Sequence, residues 1–181
     1  LPPEVYARER VERRREAIRQ KSRRQVLVGP HASFTFETWA SMWLQVQEML
    51  HIERGGAAQI ADELAAYNPL IPKGRELVAT VMIEIEDADR RARILATLGG
   101  IERSAYLRFA GETIAGVPEA DQERTDETGK ASAVQFLHFP FTDAQVAKFR
   151  REGEEITLGF KHPNYAHASV LPEPVRAALA E

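Results

Sequence analysis

Residues 34–72, FTFETWASMWLQVQEMLHIERGGAAQIADELAAYNPLIP, decide how the chain is read, because they hold both tryptophans and two of the three methionines. Phe34 and Phe36 alternate with polar neighbours, the period of a strand that ends at Glu37. Thr38 then suits an N-cap, and the spacing of Trp39, Met42, Trp43, Val46, Met49 and Leu50 places one apolar stripe on a helix running to about residue 54. Gly55-Gly56 breaks that helix, and residues 57–67 predict a second. Asn68 and Ile71 each precede a proline, which pushes both towards extended backbone and makes a stiff loop suited to lying across an apolar surface.

Working outward, residues 25–28 read as a short strand turned at Gly29-Pro30 onto the strand at 33–37. Residues 76–86 alternate, with Leu77, Ala79, Val81, Ile83 and Ile85 on one face, as a half-buried strand requires. Asp87 caps a short helix closed by Gly99-Gly100, and 106–109 with 113–117 predict a hairpin around Gly111. Residues 119–130 are polar and aperiodic, which predicts a mobile loop. A strand at 133–139, a helix opened by the capping box Thr142-x-x-Gln145, a strand at 156–161 and a helix at 172–180 complete the chain. Helices and strands are mixed without a βαβ rhythm, so the expected fold is a single α+β domain, residues 1–181, with a mostly antiparallel sheet.

A chain of 181 residues, 44% hydrophobic, can bury one core. It has no cysteine, which excludes disulfides, thiolate nucleophiles and Cys-ligated metal from within it. The longest apolar run, 77–83, falls far short of the ~20 residues that span a bilayer. A soluble, cytoplasmic protein is the expectation.

Net charge is −3, yet residues 8–24 carry nine Lys and Arg against three Glu. Nucleic-acid binding is disfavoured, because no aromatic residue interleaves the basic ones. Glu9/Arg13, Glu12/Arg15 and Glu16/Arg19 are helix neighbours, and Ala7, Val11 and Ile18 supply a narrow apolar seam. Residues 1–23 therefore read as a basic surface helix.

No glycine-rich phosphate loop, nucleophile elbow, paired-histidine zincin helix or dinucleotide fingerprint occurs. Two features of the long helix remain. Glu53 falls within the apolar stripe, where a carboxylate must find donors, a proton or a cation, or reach past the core to solvent. Glu48-x-x-His51 has the spacing by which one helix offers two ligands to a di-iron centre, but no second pair exists. A mononuclear site would need His162 or His167 to fold back beside Glu48, Glu53 or Glu63. His31 and His138 carry no pattern. Trp39 and Trp43, one turn apart, suit either a core or a homodimer face.

The runs TWASMWLQVQEMLHIER, DELAAYNPLIP, ATVMIEI, KASAVQFLHF and LGFKHPNY, in this order, resemble the bacterial domain-of-unknown-function family 3501. Glu37, Gln45, Gln47, Glu48, Glu53, Glu63, Tyr67 and Asn68 match the family's blocks, and Glu48, Glu53, Glu63, Tyr67 and Asn68 make the candidate polar site. The resemblance implies no reaction and no cofactor. It implies a redox setting, with an iron-sulfur oxidoreductase or a rubrerythrin-like protein as partner. Two readings stand: a non-catalytic accessory module, or a small metal- or carboxylate-dependent enzyme or sensor with a site near Glu53.

Overall fold

The computed structural model describes residues 1–119 and 124–181. Helix α1 (Pro3–Ser22) leads into strands β1 (Gln25–Val28) and β2 (Ala32–Phe36), then helices α2 (Trp39–Glu53) and α3 (Gly56–Tyr67). Strand β3 (Glu76–Ile83) and helix α4 (Ala88–Leu95) follow, then β4 (Ala105–Phe109), β5 (Glu112–Ala115) and the two-residue β6 (Val117–Pro118). Strand β7 (Val134–Pro140), helix α5 (Asp143–Phe149), strands β8 (Thr157–Phe160) and β9 (Ala168–Val170) and helix α6 (Glu173–Ala180) end the chain.

The strands form two antiparallel sheets, ordered β1-β2-β3-β7-β6 and β5-β4-β8-β9, so the α+β expectation holds with two sheets in place of one. Both sheets feed one core. Ala79, Val81 and Ile83 of β3 bury the face that the alternation predicts, and Phe34 of the first sheet meets Phe160 of the second at a ring-centroid distance of 5.1 Å. Each such buried side chain contributes about 1.5–3 kcal/mol. Tyr165 ties the β1–β2 turn to this core: its hydroxyl accepts from the N–H groups of His31 and Ala32 and donates to the Val28 carbonyl.

The opposite face of β3 carries Val78, which packs with Met42 of α2 and Leu70 against Tyr67, Ile71 and Phe136. The loop 69–72 lies on an apolar surface, as expected, with Leu70 as the buried anchor and Ile71 extended ahead of Pro72. The capping box at Thr38 is made with Ser41: the Thr38 hydroxyl accepts from the Ser41 N–H, and the Ser41 hydroxyl accepts from the Thr38 N–H. Arg54 ends α2 in the left-handed conformation at φ 57°.

Two expectations are corrected. The apolar seam Ala7, Val11 and Ile18 of α1 faces solvent, with Val11 61% and Ile18 67% exposed, because the helix docks through Tyr6, Arg10 and Arg13 instead. Asn68, expected to be extended ahead of Pro69, is instead helical at φ −58°, ψ −37°, because it caps α3 and opens the 3-10 turn that carries Leu70 into the core. Glu53 takes the solvent-reaching alternative and is exposed together with Ile52. Of the expected mobile loop 119–130, residues 120–123 lie outside the described residues; beyond them Thr125 bridges Ala131, and the Asp126 carboxylate accepts from Thr128 and Lys130 N–H groups to form a tight turn. No helix among the described residues is long and apolar enough to cross a membrane.

Candidate interaction surface

Helix α1 docks on α2 across Trp43 of the stripe and onto Glu48 and His51 beside it. The Glu48 carboxylate accepts Arg10 Nε at 2.7 Å, Arg10 Nη2 at 2.8 Å and the Tyr6 hydroxyl at 2.5 Å. His51, one turn on, presents an edge-to-face contact to Tyr6 at 5.9 Å, and Trp43 does the same at 6.3 Å. The Glu48-x-x-His51 spacing therefore builds a socket for Tyr6. The Arg10 hydrogen bonds hold the Glu48 carboxyl below the usual carboxylate range, while burial, and then Glu48 itself, push the Tyr6 phenol up. Of the predicted helix pairs, Glu9/Arg13, Glu12/Arg15 and Glu16/Arg19 all form.

Trp39 stacks on Trp43 at 6.2 Å, and the Arg13 guanidinium lies 4.8 Å from the Trp43 ring centre. Trp39 is nonetheless 62% exposed. Helix α3 buries no residue fully, although Ile60, Ala61 and Leu64 form an apolar stripe with Ala57. Ile60 and Leu64 stand open to solvent. Gln59 joins α3 to α2: its amide donates to Glu53 at 2.7 Å and Glu63 at 2.8 Å, and its oxygen accepts the Gly55 N–H. Glu53 and Glu63 are thus brought together, with an amide between them. Tyr67 accepts from Gln45 Nε2 at 3.3 Å, and Asn68 opens the 3-10 turn Asn68–Leu70.

The C-terminal histidines are elsewhere. His162 accepts the Asn164 N–H at Nδ1 and donates from Nε2 to the Gly99 carbonyl, so both ring nitrogens are engaged. His167 packs on Tyr165 at 4.6 Å and beneath Gly29. Among the described residues no three His, Asp or Glu side chains converge as a metal would require.

Three arrangements were not legible beforehand. Tyr6 and Arg10 as the partners of Glu48 need the docking of α1, which its sequence signals only through a lone aromatic. Glu37, 8% exposed, accepts from Ser41 and Thr80 hydroxyls at 2.6 Å each. His138 lies between two carboxylates, Glu76 at Nδ1 (3.0 Å) and Glu119 at Nε2 (2.8 Å), which pins β6 to the first sheet. The two acids address opposite sides of the ring and share no common ligation point.

The fold and this surface define an α+β domain with a helical layer set on one sheet and apolar side chains left open on that layer. The chain belongs to the family of proteins of unknown function DUF3501, whose profile matches residues 1–181. It is similar to the crystal structure of a novel protein of unknown function from Burkholderia pseudomallei K96243, at 39% identity over 99% of this chain and 94% of that one, with a TM-score of 0.91. No curated protein matches.

Proposed function

We propose that the protein is a non-catalytic docking module whose α1–α3 layer binds a protein partner. The observation that carries this reading is α3, an amphipathic helix whose Ile60 and Leu64, one turn apart on its apolar stripe, stay open to solvent. Apolar side chains left open along one helix stripe are the kind of surface that a protein partner covers. An iron-sulfur oxidoreductase or a rubrerythrin-like protein is the partner that the family resemblance suggests. The test is binding of either purified protein to the wild-type chain and to Ile60→Glu/Leu64→Glu. Binding lost in the variant, at unchanged Tm, supports the docking surface; equal binding by both chains overturns it.

The second reading, a carboxylate or metal site near Glu53, has the Gln59-bridged pair Glu53/Glu63 in its favour. A hard cation would have to displace the amide and take oxygen ligands from both acids. Elemental analysis of untagged protein decides it: a stoichiometric metal that Glu53→Gln removes would replace the docking reading.

A further inference from the structure

Helices α1 and α3 both pack on α2, and each leaves an apolar pair uncovered. On α1 the pair is Val11 and Ile18, two turns apart. The residues three and four positions from them, their neighbours on a helix surface, are Ala7, Arg8, Arg14, Arg15, Lys21 and Ser22, all exposed. That frame holds four cations and no acid. Arg15 pairs with Glu12 at 3.5 Å and Arg14 reaches Glu48 at 3.9 Å, whereas Arg8 and Lys21 have no carboxylate within ion-pair distance among the described residues.

On α3 the pair is Ile60 and Leu64, and the electrostatic setting is the reverse. Asp62 and Glu63 lie on the helix, Gln59 draws Glu53 to its side, and no Lys or Arg occurs from Gly55 to Pro72. One helix therefore offers an apolar pair framed by cations, and the other an apolar pair accompanied by carboxylates.

We propose that Val11 and Ile18 of one copy seat on the Ile60/Leu64 stripe of a second copy, head to tail. The proposal rests on the docking reading and names an occupant for the open stripe of α3. Joining the two pairs removes four exposed apolar side chains from water. The cations around Val11 and Ile18 then face the acids of α3, which fixes which helix meets which. Pairing α1 with α1 would set cation against cation, and pairing α3 with α3 would set acid against acid. Because the two surfaces differ, the contact is heterologous and leaves a free α1 at one end of each assembly and a free α3 at the other. A single helix-on-helix contact is small, so it is weak, and another protein that covers α3 displaces it.

The experiment is sedimentation velocity of the full chain at low salt, over concentrations bracketing a Kd on the order of 100 μM, the range of a small transient interface. Wild type should rise from monomer through dimer to larger species and fall back towards monomer as sodium chloride is raised. Val11→Glu/Ile18→Glu and Ile60→Glu/Leu64→Glu should each weaken self-association at least about tenfold. All four positions are exposed, and Tm checks that both variants fold. Mixed in equal amounts, the two variants should form a heterodimer that grows no further, because each retains one intact helix. A wild type that stays monomeric, variants that associate as wild type does, or a mixture that stays monomeric overturns the proposal. Val11→Glu/Ile18→Glu leaves α3 open, so its binding to an iron-sulfur oxidoreductase or rubrerythrin-like protein, with no self-association by wild type, would remove this inference and leave the docking reading standing.

Discussion

Arg10 grips Glu48 with two parallel hydrogen bonds, Nε to Oε1 at 2.7 Å and Nη2 to Oε2 at 2.8 Å, across 38 residues of sequence. Only Tyr6 of the 20 residues of α1 is buried, so this fork and the Tyr6 hydroxyl do most to hold the helix in place.

Glu48→Ala strands the Tyr6 hydroxyl and the Arg10 fork, which costs about 2 kcal/mol. Chemical denaturation measures the loss, and hydrogen exchange should speed up across α1 before any strand. Uniform acceleration over the whole chain would assign Glu48 to global stability instead.

The same pair sets a dependence on acid. The folded Glu48 pKa is depressed, chiefly by Arg10, so the stability it contributes is complete above its unfolded value of about 4.3 and is lost as pH falls through the lower folded value. The Tm difference between wild type and Glu48→Gln should be constant near neutrality and shrink as the pH drops below about 4. A difference that grows on acidification would contradict the assignment.

Both ring nitrogens of His138 face carboxylate oxygens, and the side chain is 19% exposed. His138→Leu leaves Glu76 and Glu119 without that partner, a cost of about 1–3 kcal/mol, and should release β6, read as faster amide exchange at Val117 and Glu119.

Arg54 holds a left-handed conformation that disfavours side chains with a Cβ. Arg54→Gly should raise stability by about 1 kcal/mol, seen as a higher Tm.

Gly29 is the opposite case. Its φ is +68° and a Cβ there would stand 2.6 Å from the His167 ring. Gly29→Ala should cost at least about 1–2 kcal/mol from the backbone alone, and adding His167→Ala should recover the clash but not the backbone strain.

Most elements were readable because their signals are local. The alternation of 76–86, the N-cap at Thr38 and the capping box at Thr142 each act within a few residues. The division into two sheets was not, since β3 pairs with β7 across more than fifty residues and nothing local states that partner. The short β6 and β9 have too few residues to show a period. At the site, the wheel set Glu48 and His51 apart from the stripe, yet Tyr6 touches both of them and Trp43 of the stripe, and no wheel says what lies against a helix. The exposed seam of α1 misled because a helix can dock through a tyrosine and two arginines, whose aliphatic and aromatic bodies pack while their polar ends bond.

Hydrogen exchange on the complex with an iron-sulfur oxidoreductase or rubrerythrin-like partner tests the docking reading most directly. The account predicts new protection confined to α3 and the ends of α2, absent in Ile60→Glu/Leu64→Glu. Protection centred on the second sheet, or no complex with either partner, would contradict it.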